Sequence, residues 1–199
     1  MLKDYQVLYD QIIDPYCKIE ALHGILFFGT TAMASDNYML VALQARFPEA
    51  YKGQIVASDG KFIYSDDMYR NAISELEKAA PRIKENGLST LNLCSDPVPL
   101  LKSACKLLPV TDDSNGGRVC IDISGICVYP PRLLKALGIF EAIEETPDIY
   151  GYAGSDEKDI RLVLKSESCT ILIAPVYFPE GYHPNRVTAE EALKVGDLL

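Results

Sequence analysis

Tyr129-Pro130-Pro131-Arg132-Leu133-Leu134-Lys135-Ala136-Leu137 is the stretch from which the fold can be read. Its two prolines pre-set the backbone for a helical first turn and give up only N–H groups that a helix leaves unpaired there. Leu133, Leu134, Leu137 and Phe140 follow at helical spacing, which predicts a helix with an inward apolar stripe. Arg132 and Lys135 are three residues apart and share a face away from that stripe. Upstream, Val119, Ile121 and Ile123 alternate with Cys120 and Asp122, the period of a half-buried strand. Downstream come three extended runs: Ile149 to Ala153, then alternating Ile160, Leu162 and Leu164, then Cys169 to Val176.

The same theme stands earlier in the chain. Thr90 to Cys94 reads as a strand, Asp96 as a helix cap with Pro97 in the first turn, and Leu100, Leu101, Ala104, Leu107 and Leu108 as a buried stripe. Leu100-Leu101-Lys102 echoes Leu133-Leu134-Lys135, only twice, so no solenoid is implied. At the start, Leu2, Tyr5, Leu8, Tyr9, Ile12 and Ile13 recur at helical spacing until Pro15. Extended runs then cover Ile19 to Phe28, Thr30 to Ala34 and Tyr38 to Ala45, the last two separated by a Ser35-Asp36-Asn37 turn. Gln54 to Ala57 and Lys61 to Tyr64 flank Asp59-Gly60, a two-residue hairpin signal. A further helix is expected from Asp66, with Met68, Ala72, Ile73, Leu76, Ala79 and Ala80 on one face, ending at Pro81.

Helix-then-strands units occurring at least twice predict an α+β fold with antiparallel sheets. Arg82 to Gly87 is a polar connector, which divides the chain into a first domain over 1–86 and a second over 87–178. A tail over 179–199 holds a short helix, because Thr188 and Glu191 are spaced as a capping box.

Composition narrows the class. The chain has 199 residues, 48% of them hydrophobic and 24% charged, which suits a globular protein rather than a disordered or fibrous one. Its net charge of −9 argues against a surface coated in cations, though a local basic strip is compatible with it. The longest uncharged apolar stretch, Ala21 to Ser35, is shorter than the roughly 20 residues of a membrane span. Lys3, Asp4, Asp10 and Asp14 leave no signal-peptide core at the start, so a cytoplasmic protein without membrane contact is expected. The six cysteines (Cys17, Cys94, Cys105, Cys120, Cys127 and Cys169) form no C-x-x-C pair and read as reduced core residues.

Chemical motifs are missing. No phosphate loop, dinucleotide fingerprint or H-E-x-x-H occurs, and Gly116-Gly117 reads as a turn. The two histidines, His23 and His183, have no Cys or carboxylate at ligand spacing. Glu141, Glu144, Glu145 and Asp148 read as a solvated acidic surface. No catalytic residue, metal or cofactor is expected, and the chain reads as a non-enzyme. Charge, by contrast, is unevenly placed: residues 97–140 carry a net +2 and residues 141–160 a net −6. Lys102 and Lys106, like Arg132 and Lys135, lie on helix faces that can neutralise phosphates without reading bases. Amphipathic helices also carry such cations opposite a buried stripe with no ligand at all.

Two segments resemble bacterial DNA sliding clamps, the processivity subunits of replicative polymerases. Ala34-Ser35-Asp36-Asn37-Tyr38-Met39-Leu40, after Leu22-His23-Gly24-Ile25-Leu26, is similar to the clamp hairpin, and Tyr129 to Leu137 to a helix opening of the same family. Leu172-Ile173-Ala174-Pro175-Val176 matches the closing strand, and the order of elements agrees over most of residues 1–178. The resemblance implies a DNA clamp-like fold of repeated helix-plus-antiparallel-sheet units, with helices facing duplex DNA. It implies nonspecific DNA contact through Lys102, Lys106, Arg132 and Lys135. It also implies a groove for partner peptides of polymerases or repair proteins, lined by Ser35, Asn37, Tyr38, Met39, Leu40, Leu172, Ala174 and Val176. The chain departs from the family in having room for two domains where a clamp protomer has three. Asn37-Tyr38-Met39 also replaces the usual Gly-His-Arg. The function expected is a self-associating, sliding-clamp-like tether in DNA replication. The alternatives are a protein-interaction module of the same fold without a ring, or a small hydrolase using an unlocated carboxylate site.

Overall fold

The computed structural model describes residues 2–14, 16–63, 88–91, 93, 96–108, 111–112, 117–153, 160–178 and 185–197. The helix expected from Asp66, the connector Arg82 to Gly87, Cys94 and His183 lie outside these residues.

A short helix α1 (Gln6–Gln11) precedes a meander of β1 (Gly24–Phe28), β2 (Thr31–Ser35) and β3 (Met39–Gln44). Two further strands, β4 (Ile55–Ala57) and β5 (Phe62–Ile63), form the hairpin over Asp59-Gly60, where Gly60 takes the positive φ of 81° that the turn requires. After β6 (Leu88–Thr90) comes helix α2 (Pro97–Leu107), then β7 (Thr111–Asp112), β8 (Gly117–Ile123) and β9 (Ile126–Val128). Helix α3 (Pro130–Ala142) is followed by a second meander, β10 (Asp148–Ala153), β11 (Ile160–Lys165) and β12 (Cys169–Ile173). Strand β13 (Asn185–Thr188) and helix α4 (Ala189–Gly196) end the described chain.

Nine strands form one sheet in the order β5-β4-β1-β2-β3-β12-β11-β10-β6, with antiparallel neighbours throughout. The last strands of the two meanders pair with each other, Met39 opposite Ile173 and Leu43 opposite Cys169, centred on Val41 and Ile171. The hydrogen bonds flanking that ladder are symmetric: Gln44 N–H donates to Ser168 O and Ala174 N–H to Tyr38 O, both at 2.8 Å. A smaller sheet holds β7, β8, β9 and β13. Here the antiparallel expectation needs correction, because β13 runs parallel to β8. The tail supplies that strand as well as its helix, and α4 packs against α2.

Side chains alternate across the large sheet, so one face supplies Ile25, Phe27, Ala32, Ala34, Val41, Leu43, Leu164 and Ile171 to the core. Leu8 and Ile12 of α1 join them, as do Leu133, Leu137 and Phe140 of α3, Leu101 and Ala104 of α2, and Ile121 and Ile123 of β8. Described residues on both sides of 86 therefore share one sheet and one core. Four sequence readings are corrected. Asp96 stands at the start of α2 but its side chain makes no capping bond. Leu107 is 45% exposed rather than in the stripe. Cys120 is fully buried, so β8 is covered at that position on its second face too. Glu20–His23 is a 3-10 turn rather than strand, with the His23 ring against Cys17 O at 2.5 Å. Cys17, Cys105, Cys120, Cys127 and Cys169 are free thiols, and no described helix is long and apolar enough to cross a membrane.

Candidate functional site

The outer face of the large sheet, away from the main core, carries a second apolar cluster of Tyr152, Val163 and Leu172, with Leu40 and Tyr150 against it. Register explains it: Ser35 pairs with Leu40, Leu40 with Leu172, Leu172 with Val163 and Val163 with Tyr150, one row across five strands. Where the two meanders join, Ser35, Leu40 and Leu172 of this row line a cleft of about 340 Å3. Ser35, Asn37, Tyr38, Met39, Leu40, Leu172 and Ala174 all line it, together with Ile160, Arg161, Pro175 and Tyr177. Tyr38 and Tyr177 are 53% and 63% exposed at its walls.

The β2–β3 turn that makes one wall is built by local chemistry. Asp36 Oδ1 accepts from the N–H groups of Tyr38 and Met39 at 3.1 and 2.8 Å, and Asn37 takes a φ of 74°. Asparagine tolerates that left-handed geometry better than most residues with a Cβ, and aspartate closes such turns through its own carboxylate. Val176 does not line the cleft. Its N–H donates to Cys127 O at 2.8 Å, which pins the segment bearing Pro175 and Tyr177 to β9. Sequence reading missed Ile160, Arg161, Pro175 and Tyr177. Arg161 had a usable signal, since it alternates with the inward Ile160, Leu162 and Leu164 pattern at the start of β11.

The four cations expected to contact DNA are not one strip. Lys102 of α2 is ion-paired with Glu141 in the last turn of α3. Lys106 is exposed, and together with Lys102 it holds the Glu141 carboxyl below its ordinary value, Lys102 contributing more. Arg132 and Lys135 point to the cleft turn instead: the Arg132 guanidinium lies 3.7 Å from the centre of the Tyr38 ring, and Lys135 Nζ lies 3.1 Å from Asp36 Oδ2. At 1.5 Å per residue, Arg132 and Glu141 are about 14 Å apart along α3, so Lys102 meets that helix at the end opposite Arg132, with Lys135 near its middle.

The acidic run is also not wholly solvated. Glu145 is half-buried and accepts hydrogen bonds from the hydroxyls of Ser166 and Ser168 and from Ser168 N–H. Among the described residues no group of three or more His, Cys, Asp or Glu is placed to hold a metal ion.

No family model matches the chain, and no curated protein matches it. Among solved structures it superposes on a candidate DNA polymerase III beta subunit from Eubacterium rectale, with a TM-score of 0.44 and 11% identity. The match covers 87% of this chain and 62% of that one, so the chain spans less than two thirds of that protein's length.

Proposed function

We propose that this chain is a clamp-like tethering protein, not an enzyme, whose working surface is the cleft at the junction of the two meanders. Its ligand is a short, largely apolar peptide segment of a partner protein. The observation that supports this most is convergence: residues from the β2–β3 turn and from the end of β12, far apart in sequence, line one cleft with an apolar floor. Concave, mainly apolar sites with a few polar groups at the rim suit such ligands. The helix-then-meander order of α1 with β1 to β3, and of α3 with β10 to β12, is what a repeated clamp unit would give.

Screening the full chain against a displayed library of short random peptides, followed by anisotropy measurements on labelled binders, tests the reading. Ala174→Arg, which would fill the cleft, is expected to weaken binding at least tenfold while leaving the circular dichroism spectrum unchanged. Binders that ignore this change, or an absence of binders, would remove the cleft from the function.

Duplex contact and self-association form a second component of the proposal. Its support is the excess of cation on α2, where Lys102 and Lys106 share Glu141. Retention on nicked circular DNA, lost on linearisation and on changing Lys102 and Lys106 to Glu, is the expected result. Light scattering must then show an oligomer, because one chain of this size cannot surround a duplex.

A further inference from the structure

The cationic face of α3 and the wall of the cleft are in direct contact. Asp36 is bound on both sides: Oδ1 takes the N–H groups of Tyr38 and Met39, and Oδ2 takes Lys135 Nζ at 3.1 Å. Ser35 Oγ accepts from Asn37 N–H at 3.3 Å, and Tyr38 O accepts from Ala174 N–H at 2.8 Å. The backbone of the turn is thus held from α3 and from the strand opposite. Its one large side chain, the half-exposed Tyr38 ring, is held by the Arg132 guanidinium stacked over it at 3.7 Å. The Tyr129 ring also lies 5.0 Å from that guanidinium, so Arg132 is in contact with two aromatic rings.

We infer that Arg132 and Lys135 are positioning residues of the cleft, fixing the Tyr38 wall in its open geometry, rather than contacts to phosphate. The inference rests on the cleft reading above and adds to it the residues that set its affinity. A wall ordered before the ligand arrives does not have to be ordered on binding, so the loss of the stack is paid in affinity. Stacking needs the planar, weakly hydrated guanidinium, which lysine does not supply. The second turn flanking the β3–β12 ladder is held in a parallel way, with Glu145 and Lys3 as the pair. Each of the two turns flanking that ladder therefore has its own carboxylate and ammonium.

The chain contains no tryptophan, so Tyr38→Trp places a single indole at the stack. In that background, indole anisotropy and protection from acrylamide are expected to fall when Arg132→Ala is added and to fall nearly as far with Arg132→Lys. In the otherwise natural chain, Arg132→Lys and Lys135→Gln are each expected to weaken a library-selected peptide about three- to tenfold, with unchanged unfolding midpoints. Retention on a mixed-sequence 20-base-pair duplex is expected to be the same with and without these changes. An indole equally mobile in all backgrounds overturns the inference whether or not any peptide binds. If peptides bind but ignore Arg132→Lys and Lys135→Gln, the positioning role fails while the cleft stands. Loss of duplex retention with peptide affinity intact returns the two cations to phosphate contact.

Discussion

Lys3 Nζ lies 3.0 Å from Glu145 Oε1, and the same ammonium donates to Ile143 O at 2.7 Å. This pair joins the start of the chain to the loop after α3. From there Glu145 reaches Ser166 and Ser168, so one carboxylate secures the N-terminal segment and the β11–β12 turn together.

The pair makes stability depend on acid. Burial alone would raise the Glu145 pKa, but the Ser166 and Ser168 hydroxyls, Lys3 and the Ser168 N–H together hold it down to about 2, against an ordinary 4.5. A depressed carboxyl stabilises the fold above its unfolded value and loses that effect as pH falls toward its folded value. Glu145→Gln is expected to cost about 2 kcal/mol at pH 7, the range for a hydrogen-bonded charge. Urea titrations should show that gap closing between pH 5 and pH 2. A gap of the same size at pH 3 and pH 7 would mean that the charge is not its source.

Gly24 is required by contact rather than by a turn. A Cβ there would stand 2.7 Å from Val56 O and 2.8 Å from Ile55 Cγ2 across the β1–β4 ladder. Gly24→Ala is expected to destabilise by about 1–3 kcal/mol, the usual effect of overpacking. Amide exchange should accelerate first at Ile55 to Ala57. Unchanged protection there would show that β4 can shift without loss.

Helix α4 depends on its cap. Thr188 Oγ1 accepts from Glu191 N–H at 3.3 Å while Glu191 Oε2 accepts from Thr188 N–H at 2.8 Å. Thr188→Ala is expected to cost about 1 kcal/mol and Thr188→Ser much less. Exchange at Ala192 and Leu193 reports the fraying directly, and equal behaviour of the two variants would rule out the hydroxyl as the cause.

Thiol reactivity should sort by burial. Burial pushes Cys105, Cys120 and Cys169 up to about 12, with the Cys127 thiol adding to the effect at Cys120. Only the thiolate attacks iodoacetamide, so these three are expected to label far more slowly at pH 8 than the half-buried Cys17. Peptide mapping by mass spectrometry measures the order. Cys105 labelling as fast as Cys17 would mean that the core opens around α2.

What the sequence by itself determined is local. The Asp36-Asn37 turn, the Asp59-Gly60 hairpin, the helix opening at Pro130-Pro131 and the Thr188/Glu191 box all form where their residues predict. Each is set by sterics and hydrogen bonds among residues within four positions, which the residue order states outright. The lining of the cleft was legible only through the resemblance of its two short segments, and only for residues on those segments. Arg161 and Tyr177 lay outside them. Which partner each charge would find was not legible at all. Arg132 facing Tyr38, Lys135 facing Asp36 and Glu145 buried among serines are decided by the β3–β12 pairing and by where α3 lies on it. A free and a paired cation carry the same letter, and only the convergence of distant segments distinguishes them, because a contact ion pair or a guanidinium–ring stack needs its two groups within a few ångströms, a distance that chain order does not fix.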